Sequence, residues 1–236
     1  MKRVAFNDNW MFCKQGDAPK SVTLPHDAML GEVRSPDAKS GNAGAFFPGG
    51  LYEYEKTLTA PEEWRGKTVL LQVEGIYKNS TVYVNGKKAG RTAYGYTPFF
   101  VTLDGLLRYG EENTIRVEAD NRQQPNSRWY TGGGIYRPVW LWVGGQAHIL
   151  PKGIKITTLS YHPAKLWIEV EHTGGEVAVE ILDGDKVVAT AHGDKTELTM
   201  PEAKLWSDET PNLYSCRVTL FENGSIVDTA NVTFGI

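Results

Sequence analysis

The sequence predicts an all-β chain folded as two successive sandwiches, and three observations carry that expectation. Short runs of β-branched and aromatic residues recur between hairpin signals at Asn85-Gly86, Asp183-Gly184 and Asn223-Gly224. No stretch keeps a helical period over ten residues. The rhythm also changes midway: short strands among long loops give way, across residues 144–153, to clean two-residue alternation. A chain of 236 residues is ample for two domains. The expected domains are 1–147 and 148–236.

Residues 1–50 show no period and read as irregular. Pro25 restricts Leu24 to extended geometry in Leu24-Pro25-His26-Asp27. The stretch from Gly31 to Gly50 is rich in Gly, Ser, Ala and Pro and reads as a long surface loop, of a kind that often carries function. Strands are then predicted at Leu51 to Thr59, Thr68 to Glu74 and Ser80 to Val84, followed by the Asn85-Gly86 turn. Further strands follow at Phe99 to Leu103, Asn113 to Ala119 and Val139 to Val143, and Asp104 to Tyr109 is the one candidate helical turn. Residues 144–153 read as a linker. Beyond it, Leu166, Ile168 and Val170 alternate with Trp167, Glu169 and Glu171, and Val177, Val179 and Ile181 repeat the pattern. Tyr214, Cys216, Val218 and Leu220 line one face of a strand that turns at Asn223-Gly224 into Ile226 to Phe234. The length of this half fits an immunoglobulin-like sandwich of about 100 residues.

Composition narrows the function. Net charge is −3 with both signs scattered, so no basic face points to nucleic acid. No apolar run reaches the ~20 residues of a membrane span. The N-terminal residues lack the apolar segment of a signal peptide. The compartment stays open: cytoplasmic if Met1 is native, periplasmic or secreted if a signal peptide was removed. The two cysteines, Cys13 and Cys216, read as free thiols, with Cys216 buried. The five histidines are scattered without zinc-site spacing, and neither a nucleophile elbow nor a phosphate loop occurs, so no cofactor and no metal ligand set is expected. Glu62-Glu63, Glu111-Glu112 and Glu169 with Glu171 are the candidate carboxylate pairs, all on segments that read as solvated.

The most unusual stretch is Ser127 to Trp142, where Arg128, Trp129, Tyr130, Tyr136 and Arg137 surround Gly132, Gly133 and Gly134. Taken alone, a glycine run flanked by aromatics reads as a loop against a core. The whole string, Arg-Trp-Tyr-x-Gly-x-Gly-Ile-Tyr-Arg-x-Val, resembles the signature near the end of the first domain of family 2 glycoside hydrolases, the β-galactosidase and β-glucuronidase group. Leu24-Pro25-His26-Asp27, Val84-Asn85-Gly86 through Gly90, Gly95-Tyr96-Thr97-Pro98-Phe99 and Asn113 to Arg122 resemble that family in the same order. So do Leu205-Trp206-Ser207 and Pro211-Asn212-Leu213-Tyr214.

The resemblance implies an N-terminal jelly-roll of the galactose-binding kind followed by an immunoglobulin-like β-sandwich. It further implies that the family's two catalytic glutamates stand on an α/β barrel that this chain lacks, since a barrel takes about 250 residues. The chain is therefore expected to hold no catalytic residue and to be inactive alone. Its partners would be the C-terminal barrel in cis and, through the full-length enzyme, a β-glycoside; whether that parent oligomerises stays open. Asn126, Arg128, Trp129 and Tyr130 would form the rim of the substrate pocket. The competing reading is an autonomous carbohydrate-binding module, with Trp129, Tyr130, Tyr94 and Tyr96 stacking on sugar rings.

Overall fold

The computed structural model describes residues 1–236, which divide into a first unit, Lys2–Val143, and a second comprising Met1 and Gly144–Ile236. The first unit holds β1 (Lys2–Ala5), β2 (Trp10–Lys14), β3 (Lys20–Val22), β4 (Leu51–Thr59), β5 (Thr68–Val73), β6 (Ser80–Val84), β7 (Lys87–Thr92), β8 (Phe99–Thr102), β9 (Glu112–Asp120) and β10 (Val139–Gly144). Its two sheets run β1-β10-β5-β8 and β3-β2-β4-β9-β6-β7. Alternation supplies the core between them. Tyr52 and Tyr54 on β4, Val82 and Val84 on β6, Ile115 and Val117 on β9, and Leu71 on β5 are all buried. The Asn85-Gly86 turn has both residues at positive φ, +50° and +77°, the hairpin geometry that matches strand twist. Asn85 also works as a clamp: its amide nitrogen donates to Leu106 O at 2.9 Å and to Asn113 Oδ1 at 2.8 Å.

The second unit holds β11 (His148–Tyr161), β12 (Ala164–Thr173), β13 (Glu176–Asp183), β14 (Lys186–His192), β15 (Lys195–Met200), β16 (Tyr214–Glu222) and β17 (Ser225–Phe234). Its sheets, β11-β12-β15 and β14-β13-β16-β17, close over Leu166, Ile168, Val179, Ile181, Cys216 and Val218. Tyr214 opens β16, and its hydroxyl accepts the Lys204 N–H at 2.8 Å. That is the tyrosine corner of immunoglobulin-like sandwiches. Cys216, two residues on, stands where antibody domains carry a bridged cysteine; here it is free and fully buried, and burial pushes its thiol up to about 11.

Several expectations are corrected. Residues 1–50 are not wholly irregular, because β1, β2 and β3 lie within them. These strands have three to five residues, too short for a period to declare itself. The linker expected over 144–153 shrinks to Gly145–Ala147, because β11 begins at His148. Pro151 and Gly153 hid that strand. The ladder absorbs them in a bulge, where pairing steps from Ile149↔His172 to Ile154↔Val170. Asp104 to Tyr109 forms only a single turn, closed by Leu106 N and Leu107 N on Leu103 O, and the short 3-10 turns fall at Ala28–Gly31 and Glu62–Trp64. The second of the expected hairpins turns on Gly184-Asp185, with Asp183 still paired to Lys186.

Candidate functional site

The glycine string lies between two partners in the first unit. On one side, the His26 N–H donates to Ile135 O (2.8 Å) and the Ala28 N–H to Gly133 O (2.9 Å), so Leu24–Ala28 runs alongside it. On the other side Gly134 and Tyr77 exchange both backbone bonds at 2.9 Å. Beneath it stand the inward tyrosines of β4. A Cβ on Gly134 would lie 2.1 Å from the Tyr54 hydroxyl, and one on Gly133 2.7 Å from the Tyr52 ring. Gly134 also sits at φ +76°, so the position excludes side chains twice over.

Asp27 ties the string down. Its Oδ1 accepts the Met29 N–H and the Gly133 N–H, each at 3.0 Å, and its Oδ2 accepts the Tyr130 hydroxyl at 2.7 Å. Burial, then that bond to the carboxylate, drives the Tyr130 phenol up. Asn121, just past the end of β9 and fully buried, performs the same task from the other end. Its Nδ2 donates to Gly132 O at 3.2 Å, and its Oδ1 accepts from Gln124 Nε2 at 3.0 Å and Asn126 Nδ2 at 2.7 Å. Asn126 Oδ1 in turn accepts the Tyr77 hydroxyl at 3.2 Å. Below, His26 Nδ1 contacts the Tyr54 hydroxyl at 2.9 Å, with Phe12 packed on the imidazole at 4.5 Å. Burial and then the Lys20 charge lower the His26 pKa.

The expected rim residues separate into tied and open ones. Asn126 and Tyr130 are held as described. Trp129 is 61% exposed, donating Nε1 to the Tyr96 hydroxyl at 3.2 Å, and is not a core residue. Tyr94, 60% exposed, packs edge-on against Tyr96, which in turn meets Tyr77. The Tyr136 hydroxyl donates to Gly95 O at 2.6 Å and so fixes that second loop to the first. Arg128 is exposed on the same loop, and its guanidinium has no partner within the chain. The locking residues Asp27, Asn121 and Tyr77 are those that sequence reasoning did not single out. The first two stand in stretches that resemble the family; Tyr77 carries no signal.

The carboxylate candidates lie elsewhere, and one member of each pair stands against a cation. Arg65 grips Glu62 at 2.6 and 2.8 Å, Arg108 lies 3.8 Å from Glu111, and Lys155 3.4 Å from Glu169. No group of three or more His, Cys, Asp or Glu is arranged to hold a metal ion. No helix is long and apolar enough to cross a membrane.

Comparison with known proteins bears on the family and the fold. Residues 154–236 match the glycosyl hydrolases family 2, and residues 47–132 match the glycosyl hydrolase 2 galactose-binding domain-like family. A β-galactosidase of Bacteroides ovatus is 31% identical, with 100% of this chain and 31% of the relative covered. A β-glucuronidase of Bacteroides fragilis is 28% identical, with 99% of this chain and 37% of the relative covered. Among solved structures, a family 2 member from Bacteroides cellulosilyticus superposes with a TM-score of 0.89 at 26% identity, covering 100% of this chain and 35% of that one. A β-glycosidase from Bacteroides vulgatus gives 0.88 at 27%, covering 100% and 34%. The chain thus spans about a third of the length of these relatives and matches their N-terminal part. The chain belongs to family 2 of the glycosyl hydrolases, as the two N-terminal β-domains of its members.

Proposed function

We propose that this chain is the non-catalytic N-terminal portion of a retaining, exo-acting glycoside hydrolase of the β-galactosidase and β-glucuronidase type. Domain 1–147 presents part of the substrate pocket's rim, domain 148–236 supports it, and the catalytic barrel acts in cis on a β-glycoside. The observation that carries the reading is the contrast within one loop. Asp27 holds the Gly133 backbone after Arg128 and Asn121 holds the Asn126 side chain before it, yet the guanidinium itself is uncommitted and faces solvent. Fixing a loop so firmly makes sense when one of its side chains must be presented to something outside the fold. A guanidinium offers a planar fork of N–H donors, suited to sugar hydroxyls or to a carboxylate on the barrel.

The test is an enzyme assembled by joining this chain to the part of the Bacteroides ovatus β-galactosidase that lies beyond the match. Arg128→Ala removes one or two charge-assisted bonds, each worth about 1.5–3 kcal/mol. At about 1.4 kcal/mol per decade, kcat/KM on an aryl β-galactoside should fall tenfold or more. The melting temperature of the 236-residue chain should stay as it was. A kcat/KM that holds while the chain's melting temperature drops several degrees would show that Arg128 only braces its own loop.

A further inference from the structure

The second unit carries an apolar hollow at the edge of its core: Ile236 belongs to that core and Leu205 packs against it, while the larger side chains around them stay outside. Tyr161, Leu205, Trp206, Leu213, Gly235 and Ile236 line an open depression of about 630 Å³ with no charged side chain among them. Trp206 is 51% exposed, Leu213 53% and Tyr161 59%, and Leu159 shares the outward face of β11 with Tyr161. Single exposed apolar residues are ordinary, but large ones gathered around one hollow mark a surface built for contact.

The turn that presents them is braced from within. The Thr210 N–H donates to Ser207 Oγ at 2.9 Å, the Ser207 N–H to Thr210 O at 3.1 Å, and Asn212 Nδ2 to Leu205 O at 2.9 Å. The Trp206 N–H donates to Ile236 O at 2.8 Å, which seats the hollow's floor against the turn. A cluster so preformed loses little side-chain and loop freedom when it is covered.

We infer that this hollow is the docking face for the further domain of the polypeptide, the one that gives the relatives their additional length. The inference rests on the reading of the chain as a front portion. The relatives continue for about two-thirds of their length beyond the match. In them the polypeptide leaves the counterpart of Ile236, which is itself part of the hollow, so a following domain is tethered beside this face at high effective concentration. The face is neutral and apolar, which fits the surface of a folded domain.

The same fusion with the Bacteroides ovatus remainder tests the inference, and two readouts keep the readings apart. Turnover of an aryl β-galactoside reports the proposed function; amide hydrogen exchange reports the docking face. Relative to the free chain, backbone amides of Leu159–Tyr161 and Leu205–Leu213 should exchange at least tenfold more slowly in the fusion. Those of β14 should not change. Trp206→Ser with Leu213→Ser should lower the fusion's Tm by several degrees and leave that of the free chain unchanged. Equal exchange in both proteins overturns the inference, as does an equal Tm loss in both. Protection already present in the free chain and lost on dilution also overturns it, because the occupant is then a second copy. Should the fusion not fold, a second fusion carrying the relative's own turn in place of Leu205–Leu213 decides: rescue supports docking through this turn, and failure to rescue overturns it.

Discussion

At the scale of single residues, the site depends on groups that hold its loops in place. Asp27 satisfies two backbone N–H groups and one phenol with one carboxylate. Asp27→Ala strands all three and should cost roughly 2–4 kcal/mol, since bonds to a charged acceptor are worth about 1.5–3 kcal/mol each and part is regained from water. Urea unfolding followed by Trp fluorescence measures it, and a loss below about 0.5 kcal/mol would remove Asp27 as the anchor. His26 sets a pH dependence. Its pKa in the folded chain lies below the ordinary value near 6.5, first because of burial and then because of Lys20. The unfolded state therefore binds the proton more readily, and stability should decline as pH falls from about 6.5 toward the folded pKa. Unfolding midpoints between pH 7 and 5 should show that slope, and His26→Gln should flatten it. Little of this was legible beforehand. Leu24–Asp27 and Asn113–Arg122 stood out as segments, but two of Asp27's three partners, Tyr130 and Gly133, lie more than a hundred residues away, and proximity of that kind leaves no local pattern.

At the scale of elements, alternation was a faithful guide where one sheet face meets a core and the other meets water. β4, β6, β9, β12, β13, β16 and β17 all follow it. It failed where strands were too short, as in β1 to β3, and where a bulge broke the phase, as in β11. The link from β15 to β16 illustrates how an irregular segment is fixed without regular pairing. Tyr214 reaches back to the Lys204 N–H from a fully enclosed ring, and Asn212 holds Leu205. Tyr214→Phe keeps the ring and loses the acceptor, leaving that N–H unpaired at a cost of about 1–2 kcal/mol. Thermal unfolding of the variant checks this. An unchanged Tm would mean that water replaces the hydroxyl.

At the scale of the whole molecule, the expected activity belongs to more polypeptide than these two sandwiches. One acid of each candidate pair is matched with a cation, Glu62 with Arg65, Glu111 with Arg108 and Glu169 with Lys155. The free chain should accordingly give no turnover of aryl β-galactoside or β-glucuronide above a blank preparation, and activity that persists through purification would contradict the assignment. Family and fold were legible because the resembling strings span most of the chain; the geometry of the candidate site was not, since it is assembled by contacts between strings. The two thiols carry a different kind of consequence. Cys13 lies half-covered on β2 in the first unit, and Cys216 is sealed inside the second. Each unit therefore contains one natural chemical timer. An alkylating reagent should modify Cys13 early and reach Cys216 only when the second sandwich opens, so the lag between the two adducts, followed by intact mass, measures how often that sandwich breathes.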